Sequence, residues 1–198
     1  MSETVEIIDK SEPYRGYFRI ALYRFRHRLF AGGWSGEIRR EVFERGHAVG
    51  VLPYDPEADA VVLIEQFRIG ALAGGVNPWQ TEIVAGIVEQ QEAVENVAHR
   101  EAREEAGLSL LALMPICRYI VSPGGSSESV TLFCGRVDSR GAGGIHGLPE
   151  EHEDIRVDVL PFTDAMAWLE NGRIDNAISI IALQWLALHR AQVRAAWT

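Results

Sequence analysis

Residues 86–108 read GIVEQQEAVENVAHREAREEAGL, and they contain the most informative pattern of the chain. The spacing predicts a helix from Glu92 to Ala106, ended by Gly107, because glycine readily adopts the left-handed conformation that follows a helix. A helix turns by about 100° per residue, so residues three or four positions apart share a face. One face is apolar and is expected to pack on the protein core; it consists of Val94, Val97 and Ala98.

Three carboxylates lie on or beside this apolar face. Glu101 and Glu105 continue the stripe, and Glu104 lies at its edge. Acidic runs on helices usually form a solvated face, but the opposite side already holds the residues expected to meet solvent: Glu95, Asn96, His99 and Arg103. Like charges about 4 Å apart repel by about 1 kcal/mol in water and about 4 kcal/mol at an effective dielectric of about 20. Protonation or a bound cation relieves this repulsion, and oxygen ligands favour a hard ion such as Mg²⁺ or Mn²⁺ over zinc.

Two neighbouring features support a cation site. Arg100 precedes Glu104 by four residues, so an ion pair along the helix can hold that carboxylate in position. The predicted strand TEIVAGI (81–87) bends at Gly86, where the missing side chain lets backbone carbonyls approach an ion. Taken alone, Gly86 indicates no more than a turn.

The composition is that of a globular, acidic protein. The 198 residues include 19 basic and 28 acidic side chains, for a net charge of −9, and 47% are hydrophobic, which excludes a disordered chain. This charge argues against nucleic acid as a partner. The one basic cluster of note, formed by Arg24, Arg26 and Arg28, is too small to follow a phosphate backbone.

The sequence shows no disulfide framework, signal peptide or membrane span. Cys117 and Cys134 are the only cysteines, too few for a disulfide framework. The first residues, MSETVEIIDKSEP, lack the basic and apolar regions of a signal peptide. The longest uncharged run, Asn176–His189, has 14 residues, whereas a membrane span needs about 20. The sequence therefore predicts a soluble, cytoplasmic protein that has no membrane partner.

The first 45 residues resemble a small sheet of their own. They contain short β-like runs, including 17–23 and 37–43, which are separated by a Gly32-Gly33 turn. We therefore predict an N-terminal β domain over residues 1–45 and a mixed α/β (α+β) domain over residues 46–198, without the regular alternation of a doubly wound sheet. The later predicted strands are 48–53, 60–66, 82–84, 110–120, 130–137 and 155–160. The stretches 70–78 and 138–154 are loop-rich, and helices are predicted at 163–171 and from an N-cap at Asp175 to about Ala195.

Residues 86–108 also resemble a known signature, the Nudix box G-x5-E-x7-R-E-U-x-E-E-x-G-U, in which U is aliphatic. The matching positions are Gly86, Glu92, Arg100, Glu101, Ala102, Glu104, Glu105, Gly107 and Leu108. A pattern with so many fixed positions is highly specific, and Ala102 is a small but acceptable aliphatic residue. Resemblance to the Nudix hydrolases implies an α/β/α sandwich. It also implies metal-dependent cleavage of a nucleoside diphosphate that is linked to another moiety.

Further segments resemble the bacterial ADP-ribose pyrophosphatase subfamily. They are LYRFRHRLF (22–30), REVFERGHA (40–48), SPGGSSE (122–128), GIHGLPEEHEDIRV (144–157) and IDNAISIIALQWL (174–186). As in that subfamily, a proline, Pro123, lies 15 residues past the box, which ends at Leu108. The resemblance implies that ADP-ribose is hydrolysed to AMP and ribose 5-phosphate. It also implies a homodimer whose small N-terminal antiparallel sheet is exchanged between subunits.

The resemblance implies roles for the acidic residues. The metal ligands, for two or three Mg²⁺ or Mn²⁺ ions, would be the carbonyl oxygen of Ala85 and the carboxylates of Glu101, Glu104, Glu105 and Glu153. Within this set, Glu104 would either bind a metal ion or contact a residue that binds one, and Arg100 would orient the Glu104 carboxylate. Glu151, on a mobile loop, resembles the general base. On its own, the EEHED segment that carries Glu151 would indicate an acidic loop surface.

The resemblance also implies a substrate site. Tyr17, Arg40 and Glu41 would contact adenosine near the subunit boundary, and Arg68, Ile87, Ser122 and Glu128 would lie on the phosphate and ribose side. Tyr17 stands where a relative has phenylalanine, which keeps an aromatic face for adenine. Without the resemblance, Arg40 and Arg68 read as salt-bridge partners on strands, and SPGG as a turn.

Two other functions remain open from the sequence. One is a Nudix hydrolase for another nucleoside diphosphate sugar, such as GDP-mannose. The other is a non-catalytic sensor that binds ADP-ribose; such proteins usually lose box glutamates, whereas all of them are present here.

Overall fold

The computed structural model describes residues 4–198, apart from the side chain of Glu151. The chain divides into two compact units. The first contains the residues up to His47 together with Tyr119–Ser129, and the second contains Ala48–Arg118 and Val130–Thr198. The segment 119–129 thus lies in the first unit, whereas the sequence alone suggested a continuous domain from residue 46. The domain boundaries at 45 and 46 stay a prediction.

A three-stranded antiparallel sheet forms the first unit. Its strands are β1 (Val5–Arg15), β2 (Arg19–His27) and β3 (Ile38–Glu44), in the order β1-β2-β3. Strands β2 and β3 match the two predicted runs, but β1 was not predicted. All eleven β1 residues are exposed and charged residues recur along the strand, so it shows no alternation of apolar and polar positions. Segment 119–129 joins β3 where the Phe43 N–H donates to the Gly125 carbonyl over 2.8 Å.

An eight-stranded mixed sheet dominates the second unit. Its strand order is β10-β11-β5-β4-β9-β8, with β6 pairing to β5 and β7 to β4. Strands β4 and β9 are parallel, whereas β4 pairs antiparallel with β5 and β7. The strands are β4 (Ala48–Asp55), β5 (Ala60–Phe67), β6 (Trp79–Glu82), β7 (Val84–Ile87), β8 (Ala112–Ile120), β9 (Ser129–Arg136), β10 (Gly144–His146) and β11 (Ile155–Pro161).

Helices cover both faces of this sheet. The apolar stripe of α2 (Val94–Ala106) shares a buried cluster with Val49 and Val51 of β4. On the opposite face, α4 (Ala177–Trp197) approaches so closely that a side chain at Gly50 would meet Ile178. The other helices are α1 (Ile69–Ala73) and α3 (Phe162–Glu170), with a 3₁₀ turn at Pro149–Glu151. These layers confirm the α/β/α sandwich.

Two local predictions need correction. The segment 70–78 is not wholly loop, because it contains most of the short helix α1, whose exposed apolar side chains gave no helical stripe. The N-cap of α4 is Asn176 rather than Asp175. Asn176 takes this role because its side-chain oxygen accepts from Ser179 N–H, while its amide group donates to the Thr81 carbonyl over 2.8 Å. No helix of residues 4–198 is long and apolar enough to cross a membrane.

Candidate active site

Strand β7 and helix α2 bring together the backbone at Ala85 and the carboxylate of Glu105. The Ala85 N–H donates to Oε2 of Glu105 over 3.0 Å, and Glu105 is only 3% exposed. Its side chain therefore lies on the inward stripe of α2, as the helical projection predicts. The residues predicted to face solvent, including Glu95 and His99, are exposed.

Burial makes Glu105 an unusual carboxylate. It raises the pKa of Glu105 to about 8; the Ala85 N–H lowers it in part, and the negative charge of Glu101 raises it further. Burial likewise raises the pKa of Glu101, although Arg100 opposes this. A divalent cation would relieve both the desolvation and the mutual repulsion of these two groups.

Gly86 makes room for one of these carboxylates. A side chain at Gly86 would place its Cβ atom so close to Glu101 that it would overlap with Oε1, at 1.7 Å. The φ angle of Gly86 is not positive, so glycine is required here for close packing and not for an unusual backbone conformation. The sequence identified Gly86 as a site of close approach to an ion; the structure shows that the approaching group is the Glu101 carboxylate.

Arg100 is the centre of a network of charged hydrogen bonds. Its Nη1 donates to Glu101 over 2.7 Å and to Glu104 over 3.1 Å, and the latter contact is the predicted pair along the helix. Nε and Nη2 each lie 3.2 Å from a carboxylate oxygen of Glu92, the first glutamate of the box. Arg100 therefore orients three box carboxylates, two more than the sequence predicted.

Strands β5 and β6 add polar residues that the sequence did not single out. Glu82, at the end of β6, accepts a hydrogen bond from Arg68 Nε over 2.8 Å, and its Oε2 also lies 2.8 Å from Arg68 Nη2. The amide nitrogen of Gln66 lies 3.3 Å from Glu82 and 3.5 Å from Glu105. The available signal was the carboxylate of Glu82 directly before the apolar run 83–85, because a carboxylate buried beside apolar residues requires a partner.

The loop after β10 approaches the end of α2. The Gly147 N–H donates to the Glu104 carbonyl over 3.3 Å, and Glu153 accepts from Leu148 N–H over 3.1 Å. The negative charge of Glu153 acts on both Glu101 and Glu105. The loop therefore brings Glu153 into electrostatic contact with the acidic residues of α2. The side chain of Glu151 lies outside the described residues.

The chain matches a known protein family over most of its length. The family model of the NUDIX domain matches residues 44–191. This chain belongs to the Nudix family.

Individual relatives refine this assignment within the Nudix family. The chain is 54% identical over 193 residues to the ADP-ribose pyrophosphatase of Escherichia coli strain K12, covering 98% of this chain and 92% of that protein. It is 32% identical over 197 residues to the GDP-mannose pyrophosphatase of Yersinia pestis, covering 96% and 94%. It also resembles the crystal structure of an ADP compounds hydrolase, with a TM-score of 0.73, 19% identity and 97% coverage of both chains. This last likeness shows the fold alone.

The donor chemistry of the Nudix site fits a hard divalent cation. Glu101, Glu104 and Glu105 supply carboxylate oxygens beside the backbone of β7, and no sulfur or imidazole ligand is among them. In the conformation described, however, Arg100 engages Glu101 and Glu104. Accordingly, no three acidic, histidine or cysteine side chains within the described part of the chain already form a metal-binding group.

The substrate residues implied by the Nudix resemblance are divided between the two units. Arg68 and Ile87 lie in the second unit, beside the acidic residues of α2. Five others lie in the first unit: Tyr17, Arg40, Glu41, Ser122 and Glu128. Tyr17 is 86% exposed, whereas Glu128 is 8% exposed and lies 3.5 Å from Arg45 Nε. Ser122 begins the turn read from SPGG, since its carbonyl accepts the N–H groups of Gly125 and Ser126.

Proposed function

We propose that this protein hydrolyses ADP-ribose to AMP and ribose 5-phosphate in a reaction that requires a divalent metal ion. The observation that carries the proposal is the complete set of box glutamates around β7, in a chain 54% identical over nearly its full length to an ADP-ribose pyrophosphatase. In this reaction water forms a new P–O bond, and the P–O bond of the pyrophosphate bridge breaks.

The acidic residues of the second unit supply the metal ligands in this proposal. The ligands are the Ala85 carbonyl and the carboxylates of Glu101, Glu104, Glu105 and Glu153, and the ions are two or three Mg²⁺, with Mn²⁺ as a substitute. When bound, such ions neutralise charge on the pyrophosphate and make the attacking water more acidic. Without a cation, Arg100 orients Glu101 and Glu104 through contacts of 2.7 and 3.1 Å with their carboxylates. A bound cation would replace the guanidinium as the partner of these carboxylates.

We assign the general base to Glu151. The glutamates of α2 are poor proton acceptors once they hold cations, so the base should come from outside the helix. The segment 138–154 carries four glycines, at 141, 143, 144 and 147, and all four have positive φ angles. Glu151→Gln should lower kcat by about 10²–10⁴, with little change in KM or in the Mg²⁺ requirement.

The comparison variant for this assignment is Glu153→Gln, which should raise the Mg²⁺ concentration needed for half-maximal rate. Steady-state rates measured across a Mg²⁺ titration distinguish the two. An active Glu151→Gln together with a Glu153→Gln whose small residual rate keeps the native Mg²⁺ dependence would exchange the two assignments.

The substrate site also draws on the first unit in this proposal. Tyr17, Arg40 and Glu41 contact adenosine, and Arg68, Ile87, Ser122 and Glu128 contact the phosphate and ribose. The first unit itself supports a homodimer. Among its described residues Ala21 is the one buried hydrophobic residue, so the unit needs another surface to cover its apolar side chains. We also propose a cytoplasmic location, in keeping with two cysteines that are both free.

A product assay tests the proposed function. The protein is incubated with Mg²⁺ and, separately, with ADP-ribose, GDP-mannose, NADH and diadenosine polyphosphates, and the products are separated by anion exchange. AMP and ribose 5-phosphate, formed from ADP-ribose at the highest kcat/KM, support the proposal. Faster release of GMP from GDP-mannose would favour the activity named for the more distant Yersinia relative. Binding of ADP-ribose without turnover would favour a sensor.

A further inference from the structure

Glu82 is a buried carboxylate that the proposed reaction has not used. It ends β6 and is 9% exposed. Its Oε2 lies 2.8 Å from both Nε and Nη2 of Arg68. The same oxygen lies 3.3 Å from the amide nitrogen of Gln66, which in turn lies 3.5 Å from Oε1 of Glu105. One carboxylate therefore contacts Arg68 directly and reaches Glu105 through an amide group.

We propose that Glu82 is a positioning residue with two effects on the site. It orients the guanidinium of Arg68 toward the pyrophosphate, and it keeps that guanidinium from pairing with Glu105, which is thereby left for the metal ion. The proposal rests on the proposed function, from which the role of Arg68 in binding the phosphate comes.

The first effect follows from the geometry of the ion pair. The side chain of Arg68 is 42% exposed, and a long, exposed arginine samples many rotamers unless a partner holds it. Glu82 contacts Nε and Nη2, so Nη1 takes part in neither contact and can face a ligand. A guanidinium held in this way loses less freedom when it binds a phosphate oxygen.

The second effect follows from the charges. Arg68 is separated from Glu105 by few groups, because the Gln66 amide nitrogen lies 3.3 Å from Glu82, the partner of Arg68, and 3.5 Å from Glu105. A guanidinium released from Glu82 has Glu105 as an alternative partner, and a guanidinium bound there would compete with a divalent cation. Because Arg68 and Glu82 neutralise each other, the charge of Glu105 stays available to the ion.

Glu65 provides a matched control on the neighbouring strand. Its side chain is 20% exposed, and it also pairs with arginines, Arg156 over 3.0 Å and Arg173 over 3.7 Å. It lies in β5 next to Gln66, so its side chain points to the other face of the sheet. Loss of Glu65 therefore removes a half-buried ion pair without touching the acidic residues of α2.

The experiment compares Glu82→Ala, the double variant Arg68→Ala/Glu82→Ala, and Glu65→Ala in the full chain. Mn²⁺ binding without substrate is followed by electron paramagnetic resonance, and KM for ADP-ribose and Tm are measured beside it. Glu82→Ala should weaken Mn²⁺ binding and raise KM, each by about 10- to 100-fold, the range known for partners of metal ligands. Adding Arg68→Ala should restore Mn²⁺ binding, while KM stays high. Glu65→Ala should change neither.

The recovery of Mn²⁺ binding in the double variant is the decisive result, because a purely structural role for Glu82 predicts no such recovery. The proposal is overturned if Glu82→Ala leaves Mn²⁺ binding and KM unchanged, or if removing Arg68 does not restore the binding. Should Glu82→Ala fail to fold, Glu82→Gln, which keeps the shape, is tested with the same measurements. If the native chain does not hydrolyse ADP-ribose, the proposed function fails, but Mn²⁺ binding still tests the relation of Arg68, Glu82 and Glu105.

Discussion

Glu105 is a buried carboxyl group on the inward face of α2. It occupies a position on the buried stripe of α2 where an apolar side chain would fit, and burial raises its pKa to about 8. A protein without metal therefore carries an unfavourable group at this position. This cost is understandable if the carboxylate serves to hold a cation.

We predict that Glu105→Gln keeps the fold and loses most of the activity. The amide has the same shape, can accept the Ala85 N–H that now binds Oε2 over 3.0 Å, and carries no buried charge, but it is a poor ligand for Mg²⁺. The measurements are Tm and the rate of ADP-ribose hydrolysis at saturating Mg²⁺. The control is Glu95→Gln, on the exposed face of the same helix. Turnover at the native rate would contradict the assignment of Glu105 to the metal.

Asp55 is a structural carboxylate of the opposite kind. Its Oδ1 accepts the N–H groups of Glu57 and Ala58, both over 3.0 Å, and its Oδ2 accepts the N–H and hydroxyl of Ser139 over 2.9 and 2.7 Å. Burial acts to raise the pKa of Asp55, but these hydrogen bonds outweigh it and leave the pKa below its usual value. The charged form of Asp55 therefore stabilises the folded state.

We predict that Asp55→Asn lowers the free energy of unfolding by about 1–3 kcal/mol at pH 7, because its NH₂ group must face one of the donors. The folded-state pKa is lower than the unfolded one, so the stabilisation is present above the unfolded value, near 3.9, and is lost as the pH falls through the folded value. The difference between native and variant protein should therefore shrink below about pH 4. Urea unfolding at several pH values measures this, with exposed Asp9→Asn as control. Equal stability at pH 7 would refute it.

At the scale of elements, the site depends on how closely β7 approaches α2. The two elements meet at Gly86, where the Glu101 carboxylate occupies the space that a Cβ atom would need. The corner between β6 and β7 is also held from the other side of the sheet, because the hydroxyl of Ser179 in α4 accepts the Ile83 N–H over 3.0 Å. Strand β7 is therefore constrained on both sides, and the positions of the proposed ligands depend on this packing.

We predict that Gly86→Ala lowers kcat/KM by about 10²-fold, since displacing a catalytic group by about 1 Å can cost that much. The methyl group would overlap with Glu101 Oε1, which must then move. The control is Gly70→Ala in α1, where no atom lies within 4 Å of the added methyl group. Far-ultraviolet circular dichroism should show the same fold for both. A fully active Gly86→Ala would mean that Glu101 tolerates the displacement.

At the scale of the whole molecule, the described residues of the first unit (4–47 and 119–129) form no hydrophobic core of their own. Its strand β1 has exposed apolar side chains, including Ile7, Ile8 and Tyr14 at 54%, 42% and 59% exposure. A sheet of this size buries too little apolar surface to be stable alone. This is the physical reason to expect a second copy of the chain.

We predict a homodimer whose active sites combine residues of both subunits. Arg40→Ala and Glu105→Gln should each be nearly inactive, because each removes a group from every site. When the two variants are denatured together and refolded, half of the dimers should be mixed, each with one intact site, so about a quarter of the native activity should return. Sedimentation velocity measures the mass. An active monomer, or no recovery in mixed dimers, would contradict shared sites.

The sequence by itself determined helix α2, its inward carboxylates and the contact of Arg100 with Glu104. These features follow from a helical period of 3.6 residues, which places residues three or four apart on one face whatever the rest of the chain does. Most of the central strands were likewise predictable, since buried strands such as β4 and β5 are continuous apolar runs. Strand β1 was missed because both of its faces are exposed.

Only the tertiary structure decided which residues accompany those carboxylates. Glu82 meets Gln66 because β6 pairs antiparallel with β5, in the register that places Gln80 opposite Gln66. Gln66 and Glu105, whose side chains meet, are 39 residues apart in sequence. Segment 119–129 similarly joins the first unit through hydrogen bonds of Phe43 with a distant loop. Local periodicity carries no information about such contacts, because they depend on strand order and register, which are set by the packing of the whole chain.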